Sequence, residues 1–161
     1  MADFTLDVEF CLDKSGSMGD PVSATNKRSR WEYSQETTRA LANAVVSKGI
    51  DTDGITVVPF SGTVGKVYEN VTPDAVARVF AENSPMGSTD TAAVLKSRLD
   101  AYFARKATGT CKNTLIFVLT DGEPNDQGAV DRVIIDATKK MDRDEELAIQ
   151  FLQVGDSAGA T

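Results

Sequence analysis

Histidine is absent from the 161 residues. That one omission removes histidine-based acid–base catalysis, Ser-His-Asp nucleophiles and most zinc sites. Cysteine is scarce, with only Cys11 and Cys111, and a cytosolic pair of this kind is expected to be reduced and buried. If the two strands concerned are parallel neighbours, about eight residues of rise, roughly 26 Å, separate the thiols. A disulfide needs Cα atoms within about 7 Å, so none is expected. No stretch approaches about 18 consecutive apolar residues, and Met1 to Asp7 lacks the basic and apolar regions of a secretory signal. The expectations are a cytoplasmic location and no membrane partner. Basic residues are outnumbered, 17 Lys and Arg against 24 Asp and Glu, which argues against nucleic acid as a partner because counterion release needs a basic surface. Neither G-x-G-x-x-G nor G-x-x-x-x-G-K-[ST] occurs, so nucleotide-binding readings lack their phosphate loops.

What is present suits one globular domain covering 1–161. The length fits a single core, and 41% hydrophobic with 25% charged residues is ordinary for a soluble fold. Thr5 to Leu12 reads as a first strand, ending in the polar turn Asp13-Lys14-Ser15-Gly16-Ser17. After a long loop, Trp31, Thr38, Leu41, Ala42, Val45 and Val46 recur at helical spacing, predicting a helix from about Trp31 to Lys48 before Gly49. Ile55 to Phe60 and Val64 to Val71 read as strands of a hairpin across Ser61-Gly62, followed by a short helix opened by Thr72-Pro73-Asp74. Ala92, Leu95, Leu99, Tyr102 and Phe103 mark another helix. Leu115 to Leu119 has the continuous apolar character of a buried parallel strand and ends at Thr120-Asp121-Gly122. A helix through Val130, Val133, Ile134, Ala137 and Met141 and a last strand, Leu147 to Val154, complete the order.

Strands alternating with helices imply an α/β fold: a mostly parallel sheet with helices on both faces and, from the hairpin, one antiparallel edge strand. In such sheets ligands bind outside the carboxyl ends of the strands. The polar turns Asp13 to Ser17, Thr89-Asp90 and Thr120-Asp121 are expected to meet at that edge. Together they offer carboxylates from Asp13 and Asp121 and hydroxyls from Ser15, Ser17 and Thr89, all hard oxygen donors. Such a set suits Mg2+, with Mn2+ or Ca2+ as alternatives, and two carboxylates leave a bound dication able to attract another anion.

At these residues the sequence resembles the von Willebrand factor type A (VWA) family, in its bacterial-type intracellular or stand-alone form. Asp13-Lys14-Ser15-Gly16-Ser17 is similar to the DxSxS motif of the metal-ion-dependent adhesion site (MIDAS), Thr89 in Gly-Ser-Thr-Asp to the family threonine, and Thr120-Asp121-Gly122 to its TDG segment. The resemblance extends from the first strand to Val154. It implies a Rossmann-like doubly wound sheet with a metal at its top. Ser15 and Ser17 would be direct ligands, Thr89 and Asp121 direct or water-mediated, and Asp13 mainly water-mediated. It also implies a non-enzymatic module in which the metal coordinates a Glu or Asp carboxylate of a protein partner, with oligomeric state left open. The family's usual last helix would be lacking, leaving one sheet face thinly covered.

A haloacid-dehalogenase-like metal-dependent phosphotransferase is the alternative, with Asp13 as nucleophile. Its chemistry wants an acid two positions later, where Ser15 stands. Three secondary features are read as ordinary. Lys27, Arg28 and Arg30 could steer an acidic partner, but a charge run is more often solvated surface. Gly122-Glu123-Pro124-Asn125 reads as a turn, although Glu123, Asn125 and Asp126 could shape the site's rim. Trp31, the only tryptophan, is expected to pack against the sheet or the long loop.

Overall fold

The computed structural model describes residues 6–51, 53–109, 112–122 and 126–155. In chain order they form β1 (Asp7–Asp13), α1 (Arg30–Ser47), β2 (Ile55–Phe60), β3 (Tyr68–Val71), α2 (Val76–Ala81), α3 (Thr91–Ala107), β4 (Thr114–Thr120), α4 (Gln127–Thr138) and β5 (Leu147–Gln153). Short 3-10 turns cover Gly16–Gly19, Pro73–Ala75 and Asp144–Glu146.

The strands form one sheet in the order β3-β2-β1-β4-β5, parallel throughout except for the antiparallel edge pair β2 and β3. This is the Rossmann-like, doubly wound α/β architecture expected from the alternation of elements. The chain winds outward from β1 to β2 on one side and to β4 and β5 on the other, so the crevice where connections diverge opens beyond the carboxyl ends of β1 and β4.

Side-chain alternation along β1 divides the core in two. Val8, Phe10 and Leu12 face α1 and α2, packing with Trp31, Ala42, Val45, Val79 and Phe80. Cys11 faces the other way, where Val58, Phe60, Ile116 and Val118 meet Val94, Leu95, Leu99 and Tyr102 of α3 and Val130 of α4. A period of two in a strand buried on both faces demands apolar residues at nearly every position; β4 supplies them, and β1 does so apart from Asp7, Glu9 and Asp13. The expected Trp31 packing takes the form of a contact with Phe80 of α2, ring centroids 4.6 Å apart. Cys11 is a fully buried thiol whose pKa burial raises. Cys111, and with it the expected lack of a disulfide, lies outside the described residues.

The three long helices α1, α3 and α4 each start on a side-chain cap. Ser29 accepts from the Glu32 amide, Asp90 from Ala93 and Asp126 from Ala129. Each cap contributes about 1 kcal/mol and fixes where loop becomes helix beside the crevice. Asp126, considered above as a rim residue, serves as the α4 cap; Glu123 and Asn125 lie outside the described residues.

The hairpin differs from expectation. The second strand is not continuous from Val64: that residue makes an isolated bridge to Phe60, and β3 begins only at Tyr68, with a register shift opposite Ile55 to Val57. The cause lies at Gly65, whose amide donates to the Pro59 carbonyl at 2.8 Å and whose backbone lies so close to it that any Cβ would collide. That approach turns the chain out of the ladder. At the opposite edge of the sheet, Ala148, Gln150 and Phe151 of β5 are exposed. Among the described residues no helix is long and apolar enough to cross a membrane.

Candidate functional site

Asp13 ends β1 and is fully buried. One carboxylate oxygen, Oδ1, accepts from the Ser15 amide at 2.7 Å, and Oδ2 accepts from the Thr120 hydroxyl at 2.8 Å. The carboxylate is therefore pinned across the junction of β1 and β4, with neutral donors on both oxygens. The Ser15 and Ser17 hydroxyls lie 3.3 Å apart, the first buried and the second exposed. These three predicted site residues thus form one connected group running from the core to solvent. Met18, fully buried, anchors the turn that carries them.

A second loop is fastened onto the first from both directions. The Met86 amide donates to the Lys14 carbonyl at 2.7 Å, and the Gly16 amide donates to the Gly87 carbonyl at 2.9 Å. Gly87 adopts φ +86°, a left-handed conformation that suits glycine. Farther along, the Asp90 amide donates to the Ser61 carbonyl at 2.8 Å. Thr89 lies between these fastenings, half-buried, two residues beyond the contact with Gly16.

The third loop leaves β4 at Thr120. Asp121 is 6% exposed and its Oδ2 lies 2.9 Å from Nη1 of Arg30, both side chains being largely buried. Val154 donates its amide to the Thr120 carbonyl at 3.0 Å, holding the chain after β5 against this turn. The Asp13 pKa is raised: burial is the main cause and the Asp121 charge adds to it, while the hydrogen bonds from Ser15 and Thr120 oppose the shift. Burial and the neighbouring Asp121 charge thus disfavour the ionised form of Asp13, and a cation beside it would relieve that cost.

Among the described residues no three of His, Cys, Asp and Glu gather in a ligand-like group. The site instead combines two carboxylates with serine and threonine hydroxyls. That donor chemistry fits a hard, oxygen-seeking dication and gives no support for zinc or a soft metal.

Two participants escaped the sequence reading. Thr120 was read only as part of a motif, yet its hydroxyl positions Asp13. Arg30 was grouped with Lys27 and Arg28 in a solvated run; those two are exposed, and Arg28 pairs with Glu36 at 2.7 Å. Arg30 instead opens α1 and turns inward. The spacing held a clue, since Arg30, Ser34 and Thr38 fall on one helical face and the latter two are fully buried.

The sequence pattern of the von Willebrand factor type A domain matches residues 8–123, from the first strand to just past Asp121. The chain belongs to that family. No curated protein matches this VWA domain. Among solved structures, an aerotolerance-related membrane protein from Bacteroides fragilis, solved with multiple mutations to serines, aligns at TM-score 0.65 and 20% identity, covering 93% of this chain and 68% of that one. The manganese-loaded TRAP protein of Plasmodium vivax aligns at TM-score 0.63 and 16% identity, covering 96% of this chain and 59% of that one. Proximal thread matrix protein 1 from the mussel byssus aligns at TM-score 0.53 and 17% identity, covering 93% of this chain and 40% of that one. At these identities the likeness is one of fold. This VWA domain spans about three fifths of the length of the TRAP chain.

Proposed function

We propose that this VWA domain is a metal-dependent protein-binding module, in which Asp13, Ser15, Ser17, Thr89 and Asp121 hold one Mg2+, or in its place Mn2+ or Ca2+, in the manner of a MIDAS. The observation that carries the reading is the connected oxygen cluster of Asp13, Ser15, Ser17 and Thr120 at the carboxyl ends of β1 and β4, with the buried Asp121 carboxylate close enough for its charge to act on Asp13. Family membership and the manganese-loaded TRAP structure support it.

When bound, the dication would supply a positive charge with coordination room for a further anionic oxygen. The protein's own residues prepare the place. The Ser15 amide and the Thr120 hydroxyl fix both oxygens of Asp13, so the carboxylate needs little reordering. Ser15 and Ser17 contribute neutral oxygens, keeping the donor charge at two and leaving the metal electrophilic. The exposed Ser17 end opens the cluster to a Glu or Asp side chain from a protein partner. The reading is of binding without turnover; Ser15, two residues after Asp13, is no general acid, which argues against the phosphotransferase alternative. No observation favours the phosphotransferase alternative.

The test is capture of partners by wild-type protein and by Asp13→Ala, each with Mg2+ and with EDTA. Proteins retained by wild type in Mg2+ and lost in the other conditions are the expected result. Absence of Mg2+ and Mn2+ binding at millimolar concentration, read by calorimetry, would overturn the reading.

A further inference from the structure

Arg30 places a guanidinium on one of the proposed metal ligands, and several features hold it there. Its Nη1 lies 2.9 Å from Asp121 Oδ2, with side-chain exposures of 11% and 8%. Its amide donates to the Asp20 carbonyl at 2.8 Å, and the Pro21 to Ser29 bridge closes the intervening loop behind it. The Ser34 hydroxyl donates to the Arg30 carbonyl at 2.7 Å. On the far side Gly155, at φ +82°, lies flat against the arginine stem: a Cβ there would come within 3.0 Å of Cδ and 3.2 Å of Cγ and would collide with Nε. The glycine both adopts a conformation disfavoured for other residues and leaves the space that the arginine fills.

The position is electrostatically costly without a purpose. A cation in the first turn of a helix opposes the macrodipole, and a largely buried guanidinium requires a matched anion. Asp121 meets that requirement, and Asp121 is also needed by a dication.

We propose that Arg30 is an internal counter-ion that competes with the divalent cation for Asp121 and thereby sets the affinity of the metal site. Metal loading takes the Asp121 carboxylate from Arg30, so the loaded and metal-free forms differ at the start of α1. The guanidinium charge beside the site lowers affinity in every state in which it stays near Asp121. This inference rests on the metal-binding reading above and adds to it a residue that the family motif does not include.

Mn2+ titration of wild type, Arg30→Gln and Arg30→Lys, followed by calorimetry and by the electron paramagnetic resonance of free Mn2+, tests it. Arg30→Gln is expected to bind Mn2+ about tenfold or more tightly, since a charge within a few ångströms of a partly buried site shifts binding by at least one decade. Its metal-free melting temperature is expected to fall, because Asp121 loses its guanidinium, so the Mn2+-induced rise in melting temperature should grow. Arg30→Lys, which keeps the charge but loses the planar fork, should fall between the two, and it carries the test if Arg30→Gln does not fold. A purely structural arginine would lower stability without tightening the metal. Equal or weaker Mn2+ binding by the folded variants overturns this inference alone. No Mn2+ binding by any of the three proteins overturns it together with the metal reading.

Discussion

Glu9 and Asp13 lie on the same face of β1, four residues apart, and both are buried. The sheet treats them differently. At the amino end, Glu9 is gripped by Arg98 through Oε1 and by Arg105, at 3.1 Å, through Oε2. Nearby Glu146 is met by Lys106 at 2.9 Å and by the Tyr102 hydroxyl at 3.1 Å. Burial pushes the Glu146 pKa up, but Lys106, the Asp142 and Arg143 amides and Tyr102 outweigh it and hold the group down at about 2. At the carboxyl end, Asp13 meets only neutral donors among the described residues and has a second acid beside it. The amino end carries its own cations and serves folding. The carboxyl end sets two acids, Asp13 and Asp121, against the cation Arg30, which separates a structural lock from the proposed binding site on the same strand.

The largest expected effect separates the two ends by stability. Glu9→Ala strands a buried guanidinium, and removing one partner of a buried pair costs about 3 to 5 kcal/mol. Asp13→Asn removes a charge that the fold does not favour and should cost about 1 kcal/mol or less, the range of an ordinary hydrogen bond. Denaturant unfolding of both variants without metal makes the comparison. Equal losses would erase the distinction between lock and site.

Metal should separate them in the reverse sense. Mg2+ or Mn2+ at a hundred times the dissociation constant stabilises a folded protein by about 2.7 kcal/mol. That gain should appear in wild type and in the milder Glu9→Gln, and vanish in Asp13→Ala and Asp121→Ala, as followed by thermal unfolding. Persistence of the gain in Asp13→Ala would place the ion elsewhere.

Why the two ends were unequally legible follows from how each is encoded. Asp13, Ser15 and Ser17 lie close in sequence, and local turn chemistry brings them together, so spacing was enough to group them. Asp121 joined through the rule that loops at the carboxyl ends of parallel strands converge. The strands and helices are readable because β4 is a continuous apolar run, β1 is rich in apolar residues before a polar turn, and α1 and α3 repeat at helical spacing. The Glu9, Arg98 and Arg105 lock is not readable, because Glu9 lies 89 and 96 residues from its two arginines and charged residues in sequence look like surface. Arg30 was misjudged for the same reason: two solvated basic neighbours concealed its inward face. The shortened β3 depended on a backbone contact between Gly65 and Pro59, which no side-chain pattern records.

Asp51 qualifies the contrast, since among the described residues it is an amino-end carboxylate without a guanidinium partner of the Glu9 kind. It is 4% exposed and accepts from the Val8 amide at 3.0 Å. Its pKa is raised to about 7, first by burial, then by its hydrogen bond with Asp53 and by the charges of Asp53 and Asp7. Asp53 shifts down through its hydrogen bond with Asp51, aided by the charge of Lys112. A folded-state pKa above the unfolded value means the native state holds the proton more tightly. Stability from Asp51 is therefore complete below about pH 4, the unfolded carboxyl value, and declines as pH rises through about 7. The lowered Asp53 works in the opposite direction, so Asp51→Asn should gain only about 1 to 2 kcal/mol at pH 8 and nothing at pH 4. Unfolding measured from pH 4 to 8 checks it; an unchanged slope in the variant would show that Asp51 does not titrate in this range.

The smallest effect is the most discriminating for Arg30. Arg28 stands two residues earlier, but its side chain is 48% exposed and paired with Glu36, itself 64% exposed. An exposed pair contributes about 0 to 1 kcal/mol, and at physiological salt its field fades over about 8 Å. Arg28→Ala should therefore leave stability nearly unchanged and alter Mn2+ affinity by less than about twofold, with that remainder lost in high salt. If Arg28→Ala tightened Mn2+ as much as Arg30→Gln, the general charge of this rim would govern the site. A large change from Arg30 alone would instead trace control of the metal to the arginine that the fold buries against Asp121.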